Sequence, residues 1–161
     1  MSTSTFAPQQ ATVIREWKSL STVEQPLSVS AIGSANAHRH RVFQALTVPE
    51  YIEAWFSAPD ALIGSTTVTG CDGSFSIRYS NPAGQHISIS CSYQVVRRSK
   101  LLFTWRSDTS PERVPSLVKI RLVGDFERTT VQVTHVGMQQ SEQQWHAELW
   151  EASLEKLCSL F

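Results

Sequence analysis

Cysteine is scarce in this chain of 161 residues, and its three copies (Cys71, Cys91 and Cys158) share no spacing typical of a metal or redox site. Such a set predicts small buried hydrophobic residues in a reducing compartment. No apolar run approaches the roughly 20 residues that a membrane span needs. The N-terminus lacks the basic start and the apolar stretch of a signal peptide. We therefore expect a cytoplasmic protein without a membrane partner.

An excess of charge of either sign is also missing. Lys+Arg and Asp+Glu both total 14, so the formal net charge is zero. A nucleic-acid partner would require a basic face for its phosphates. The only basic cluster, Arg97-Arg98-Ser99-Lys100, lies beside a predicted strand end, where a solvated turn is the favoured interpretation. The composition thus predicts no nucleic-acid partner.

Motifs for nucleophilic serine chemistry, phosphate loops and dinucleotide binding are absent, so we expect no cofactor and assign no catalytic residue. The histidines are the natural candidates for a metal. His38 and His40 are two residues apart at a predicted helix start, and their rings point to opposite sides. His135 and His146 could approach each other in space, but no Cys/His/Asp cluster supplies the three or four ligands of a zinc site. We therefore expect no metal.

The chain divides into an N-terminal extension, residues 1–26, and one domain, residues 27–161. The extension starts with Ser, Thr, Gln and Pro and has almost nothing to bury there. The domain is long enough to bury its own core.

The domain opens with a predicted strand and two short helices. Leu27 to Gly33 alternates apolar and small polar residues, as a half-buried strand does. Ser34 or Asn36 is a suitable cap for the first helix, because a short polar side chain can accept a bond from a free backbone N–H. Pro49 ends that helix and is well placed as the first residue of the second.

Alternating strands and one long helix make up the rest. From residue 62 to Val136 the chain alternates with turn residues between segments, which is typical of an antiparallel sheet with one buried face. From Glu142 to Phe161 it carries an apolar stripe, which Trp145 and Leu149 widen on one side. The stripe consists of Ala147, Trp150, Leu154, Leu157 and Phe161. A sheet must bury one face, and the only long helix comes last. The pattern predicts an α+β fold in which a curved antiparallel sheet of about seven strands grips the C-terminal helix.

Three stretches of the chain resemble one known family. They are Arg41-Val-Phe-Gln-Ala-Leu-Thr-Val-Pro-Glu50 followed by Trp55, then Tyr93 through Leu101-Leu-Phe-Thr-Trp105, then Thr130-Val-Gln-Val-Thr-His-Val-Gly137 followed by Trp150, Leu154 and Leu157. In this order they are similar to the Activator of Hsp90 ATPase homologue family in its single-domain bacterial form. The resemblance implies the helix-grip fold of the START and Bet v 1 superfamily.

The chain departs from the family pattern at a few positions. Cys91 stands where the family usually has Gly, and Ala147 or Leu149 replaces a small Gly before Trp150. Arg97 and Arg98 stand where the family has Pro. Bulkier residues inside the grip are expected to narrow a cavity there.

The resemblance implies functions that range from lipid and hormone binding to polyketide cyclisation and co-chaperone action. A shared fold does not choose among them. We favour a small hydrophobic molecule bound in an apolar cavity between the sheet and the C-terminal helix. A cyclase-like enzyme with Tyr93 or His135 as proton donor, and an Hsp90-type chaperone co-regulator, are the alternatives. A homodimer also stays open.

The predicted ligand site consists of the inward apolar residues, with Tyr79, Tyr93 and His135 as polar handles. The pattern alone leaves a closed core and an open pocket as equal alternatives. The set consists of Trp55, Phe56, Phe75, Ile77, Tyr79, Ile89, Tyr93, Phe103, Trp105, Ile120, Leu122, His135, Trp150 and Leu154.

Overall fold

Seven antiparallel strands form one sheet in the computed structural model, which describes residues 27–110 and 114–161. The extension predicted for residues 1–26 lies outside the described part. The strands are β1 Leu27–Ala35, β2 Thr67–Cys71, β3 Ser74–Ser80, β4 His86–Arg97, β5 Lys100–Ser107, β6 Ser116–Gly124 and β7 Thr129–Met138. The helices are α1 Arg39–Thr47, α2 Pro49–Trp55 and α3 Gln143–Ser159, the last preceded by a 3-10 turn at Gln140–Glu142.

The strand order across the sheet is β1-β7-β6-β5-β4-β3-β2. Strands β2 to β7 follow one another as a meander, whereas β1 pairs with the last strand. The helices α1 and α2 therefore carry the chain from one edge of the sheet to the other. The seven strands, the helix pair and the long last helix confirm the predicted α+β helix-grip fold.

The helix pair bends at Val48, which ends α1 and precedes α2. Pro49 is the first residue of α2, as predicted, since its missing N–H needs no partner there. The predicted cap of α1 is wrong. β1 continues through Ala35, and His38 caps the helix by accepting a bond from the backbone N–H of His40 at 3.0 Å.

The inner face of the sheet is the one that the alternation predicts. Leu101, Phe103 and Trp105 on β5 are all buried, as are the apolar residues at alternate positions of β3 and β6. Tyr93 is the exception among the predicted inward residues, because it is only half-buried. The pairing of β4 with β5 shifts register between Tyr93 and Val95, and this irregularity turns the end of β4 out of the regular alternation.

The buried face of α3 is rotated from the predicted stripe. Trp150, Leu154 and Leu157 are buried as expected, but Ala147 and Phe161 are only partly covered. Leu149, which the pattern adds at one side of the stripe, is buried, and so are His146 and Ser153, which lie outside the predicted stripe. The rotation follows from contacts on two sides, since α3 packs against both β1 and α2. The segment just after α2 adds a hydrogen bond from the Ser57 backbone N–H to the Ser153 hydroxyl, 3.0 Å long.

Close approach of β1 to α3 depends on glycine at position 33. A Cβ atom built on Gly33 would lie 2.9 Å from the sulfur of Cys158 and 3.6 Å from the Cβ of Leu154. The first distance is shorter than normal packing allows, so the strand and the helix can meet here only because one residue has no side chain.

We predict that Gly33→Ala destabilises the protein by about 1 kcal/mol through overpacking. In a Cys158→Ala background the same change should be neutral or stabilising, because alanine restricts the unfolded chain and the clash is gone. Urea denaturation of the wild type, both single variants and the double variant measures the coupling. Simple additivity of the two single effects would contradict this account of the contact.

Candidate functional site

Four rings from three elements form the centre of the interior: Trp105 on β5, His135 on β7, and His146 and Trp150 on α3. We call these four residues the Trp–His cluster. The centroid of the Trp105 ring lies 5.2 Å from that of His135, 5.9 Å from that of His146 and 5.7 Å from that of Trp150. The two histidine rings are 4.5 Å apart and nearly perpendicular. The predicted approach of His135 to His146 is therefore confirmed.

Both ring nitrogens of His135 have hydrogen-bond partners. The indole Nε1–H of Trp150 donates to Nδ1 at 3.1 Å, so Nδ1 carries no proton. The proton of the neutral ring must then be on Nε2, which lies 2.7 Å from the hydroxyl oxygen of Ser116. The Ser116 hydroxyl in turn donates to the backbone carbonyl of Trp105 at 3.2 Å. This geometry gives His135 a structural role between α3 and the sheet.

Burial keeps His135 neutral. The ring is fully buried, and the loss of hydration lowers its pKa well below the usual value, with the neighbouring His146 adding a smaller effect in the same direction. Protonation would also place an N–H on Nδ1 facing the indole N–H of Trp150. Two donors would then oppose each other in a site that water does not reach.

His146 is held at the start of α3 through its other nitrogen. Its Nδ1 lies 2.8 Å from the backbone carbonyl oxygen of Glu142, and since a carbonyl can only accept, Nδ1 is the donor. Burial lowers the pKa of His146, and the Glu142 carbonyl and carboxylate partly offset that shift. A capping box between Gln139 and Glu142 fixes the turn from which this carbonyl projects.

Two buried polar atoms of the Trp–His cluster have no hydrogen-bond partner. They are Nε1 of Trp105 and Nε2 of His146, in side chains that are only 4% and 5% exposed. Buried polar atoms are nearly always paired, because an unpaired one costs about 1–3 kcal/mol. The two exceptions in one cluster mark this region as the candidate functional site.

An opening of about 20 Å³ lies beside these two residues. It is bounded by β5, by the residues that lead into β6, by the end of β7 and by the start of α3. Its walls combine apolar and polar groups, and they include Trp105, Val114, Pro115, Ser116, Met138, Glu142 and His146. Val114, one of these wall residues, is 70% exposed.

The other predicted site residues lie in the interior around this cluster. Phe56 packs on Trp105 and on Tyr79 with centroid distances of 6.3 and 6.4 Å. Phe75, Tyr93 and Phe103 form a second group of rings 5.3 to 5.9 Å apart. The remaining predicted residues, which are Trp55, Ile77, Ile89, Ile120, Leu122 and Leu154, are buried. A ligand-binding role for this set stays a prediction.

Burial raises the pKa of the buried hydroxyl and thiol groups in this interior. It raises the pKa of Tyr93 to about 12 and that of Tyr79 further, with Asp60 adding to the shift at Tyr79. The pKa of the Cys91 thiol is also strongly raised by burial. Cys91 is thus a protonated, buried side chain on the inner face, opposite Phe75 and Trp105 in the strand pairing.

Asp60 was missed by the sequence reasoning. Its Oδ1 accepts the Tyr79 hydroxyl and the Trp145 indole N–H, each at 3.0 Å, and so connects the loop after α2 to β3 and α3. Ser116 was also missed. Both residues act through tertiary contacts between distant segments of the chain. They could not be predicted, because a short polar residue in a loop or at a strand start does not contribute to the hydrophobic periodicity of the sequence.

Metal binding finds no support in residues 27–110 and 114–161, where no group of three or more His, Cys, Asp or Glu side chains is placed to hold an ion. In the same part of the chain, no helix has the length and hydropathy required to cross a membrane.

The sequence pattern described as "Activator of Hsp90 ATPase homolog 1-like protein" matches residues 36–161, which is most of the chain. The chain belongs to this family. The match begins just after β1 and includes all four residues of the Trp–His cluster. A comparison with curated proteins gave no match.

Solved structures support the same fold. Protein CV1439 from Chromobacterium violaceum is 17% identical with a TM-score of 0.65, and the alignment covers 84% of this chain and 97% of that one. Protein NE0264 from Nitrosomonas europaea is 19% identical with a TM-score of 0.63, covering 83% and 93%. DynU16, from the dynemicin biosynthetic locus, is 23% identical with a TM-score of 0.56, covering 82% and 46%.

We predict that stability falls as the pH drops below about 6.5. The folded-state pKa values of His135 and His146 lie below the unfolded value near 6.5, so the unfolded chain binds more protons in that window. The contribution of these two neutral histidines to the free energy of unfolding is therefore fully present above pH 6.5 and is lost toward lower pH. Urea denaturation should show a loss of up to about 1.4 kcal/mol for each histidine between pH 7.5 and pH 5.5.

The variant His135→Gln tests whether the buried neutral state of His135 causes this pH dependence. The Gln amide can accept a hydrogen bond from Trp150 and donate one to Ser116, but it does not titrate. Its stability should depend less on pH than that of the wild type. His86→Gln changes an exposed histidine on β4 and serves as the control. An unchanged pH dependence in His135→Gln would contradict the buried neutral state.

Proposed function

We propose that the protein binds a small, largely apolar molecule at the Trp–His cluster, with access through the opening beside Trp105 and His146. The observation that carries the proposal is the contact between this opening and two buried rings whose polar atoms lack partners. A site that combines apolar walls with a few polar groups has the composition of a small-molecule pocket.

The position of the opening supports binding at the edge of the interior. Trp105 lines the opening and is packed against Phe56, His135 and Trp150. Val114, Pro115 and Met138 provide apolar surface along the walls of the same opening. An apolar ligand is thus expected to contact these three side chains while its polar end approaches the rings.

The comparisons support a ligand-binding fold. The family match covers the whole sheet apart from β1 together with the three helices. DynU16 comes from a biosynthetic locus, but at 23% identity the similarity supports the fold alone.

The alternative roles receive less support from the geometry. A cyclase-like reaction with His135 as proton donor would have to break the bond from its Nε2 to Ser116 inside the core. Stimulation of an Hsp90-type ATPase, suggested by the family description, stays a prediction without a contributing residue.

Thermal denaturation with small aromatic probes tests the proposal. A ligand that binds only the folded state at about 100 times its Kd stabilises it by about 2.7 kcal/mol, or roughly 5–10 °C in Tm. We expect such a shift with indole, 4-propylphenol or 4-propylanisole. The change Val114→Asp places a charge on an exposed wall of the opening and should reduce the shift without loss of stability.

The matched control is Val123→Asp on β6, since Val123 is 50% exposed and does not line the opening. Equal shifts in both variants would place the binding elsewhere. No shift with any probe, at concentrations up to the solubility limit, would contradict the proposed function.

A further inference from the structure

The two edges of the sheet differ in how their backbone is covered. At the β2 edge, Oε2 of Glu53 accepts the backbone N–H of Val68 at 2.8 Å. Pro49 packs so closely against Gly70 that a Cβ atom at that position would lie 2.7 Å from its ring. The helix α2 therefore closes this edge. β1 at the other edge has nine residues and contains no Lys or Pro, the residues with which proteins commonly protect an exposed edge.

The helix α3 covers the outer edge of β1 only near its two ends. At one end, the side-chain amide of Gln143 donates to the carbonyl oxygen of Ser28 at 3.4 Å. At the other end, the backbone N–H of Ser34 faces the thiol of Cys158 and offsets part of the rise in its pKa that burial causes. The backbone groups of Ser28 and Ser34 thus point away from β7.

The middle of β1 presents unpaired backbone groups at the same edge. In an antiparallel pair, every second residue directs its N–H and C=O away from the partner strand. Ser30 and Ile32 are paired with β7 in the same register as Ser28 and Ser34, so their backbone groups also face the edge. In the described part of the chain nothing bonds to these groups. They are placed to receive a further strand.

A groove of about 590 Å³ follows this edge between β1 and α3. Ala31 and Gly33 on β1 and Ala147 on α3 are small, so the groove has room for a large side chain. Glu151 and Glu155 are exposed and add two negative charges, and the described residues that line the groove include no basic side chain. The groove therefore suits an extended segment that carries a large apolar side chain and a basic one.

The sequence directly before β1 contains such a segment. Residues 12–20, which lie outside the described part of the chain, are Thr-Val-Ile-Arg-Glu-Trp-Lys-Ser-Leu. They combine β-prone residues with Trp17 and with two basic side chains, Arg15 and Lys18. Residues 21–26 connect this segment to Leu27, and a connection of this length allows an antiparallel return. The covalent link also gives the segment a high effective concentration at the edge.

We propose that residues 12–20 add a strand to the free edge of β1, antiparallel to it, with Trp17 and Arg15 directed into the groove. Antiparallel partners have residue numbers of constant sum, so the register with Trp17 opposite Ala31 places Arg15 opposite Gly33. The indole then covers the small residues of the groove, and the guanidinium group approaches its two glutamates. The main chain of the segment bonds to the outer backbone groups of β1.

A second copy of the chain is a poorer occupant of this edge. Pairing of β1 with the β1 of another copy would bring no basic side chain, because the strand contains none. It would also bring the two glutamates of each copy toward the same edge, and like charges repel.

Amide hydrogen exchange of the full chain, followed in ¹⁵N–¹H spectra, tests the inference without any ligand. The amides of Ser30 and Ile32 should exchange at least about tenfold more slowly in the wild type than in Trp17→Ala, because the added strand holds them in hydrogen bonds. Trp17→Phe is the matched control, since it keeps a large ring and should keep most of the protection.

A charge exchange tests the direction of the segment in the groove. Arg15→Glu should accelerate exchange at Ser30, because the new carboxylate meets two glutamates. Addition of Glu151→Arg should restore slow exchange. Addition of Glu148→Arg should not, because Glu148 is exposed on α3 but does not line the groove.

Three results would overturn the inference. They are fast exchange of Ser30 and Ile32 in the wild type, slow exchange that Trp17→Ala leaves unchanged, and slow exchange that is lost on dilution, which would assign the edge to a second copy. The proposed function involves neither this edge nor this segment, so its failure and the failure of this inference are separate outcomes.

Discussion

A line of hydrogen bonds from α3 to the backbone of β5 is the constraint on which the interior depends. It runs from the Trp150 indole through His135 and Ser116 to the carbonyl of Trp105. Each buried polar group in this line has a partner, so its desolvation is offset, and the direction of the Trp150–His135 bond adds to the contacts with β1 and α2 that fix the rotation of α3 on the sheet. Apolar packing alone would permit several such rotations.

The pairing along this line explains why the unpaired atoms lie where they do. His135 satisfies both of its nitrogens within the fold, whereas His146 satisfies only the nitrogen that faces Glu142. The hydrogen bonding of the Trp–His cluster is thus complete at His135 and incomplete at Trp105 and His146.

Much of the fold could be predicted from the sequence, because alternation along strands and the position of Pro49 are local signals. The inward faces of β3, β5 and β6 follow directly from these signals. The cap of α1 and the rotation of α3 could not be predicted, since both depend on where β1 ends and which elements the helix contacts.

The candidate site shows the same division. Trp105, His135 and Trp150 were found because they lie on faces with clear periodicity. Ser116 and Asp60 were not, because their roles arise from partners about 20 or more residues away in the chain. The state of His146, paired at one nitrogen only, is a matter of ring orientation that no sequence pattern specifies.

The strand order has a consequence for how the chain reaches this state. β1 leaves the ribosome before every other strand of the sheet, yet its pairing partner is β7. Leu27 can therefore pair with Met138 only after nearly the whole sheet has been synthesised. Strands β2 to β7 can join one another in order as they emerge, by short connections. Closure of β1 onto β7 is a contact of high sequence separation and carries the entropy of a long loop. β1 therefore has no partner among the seven strands of the sheet during synthesis until β7 has emerged.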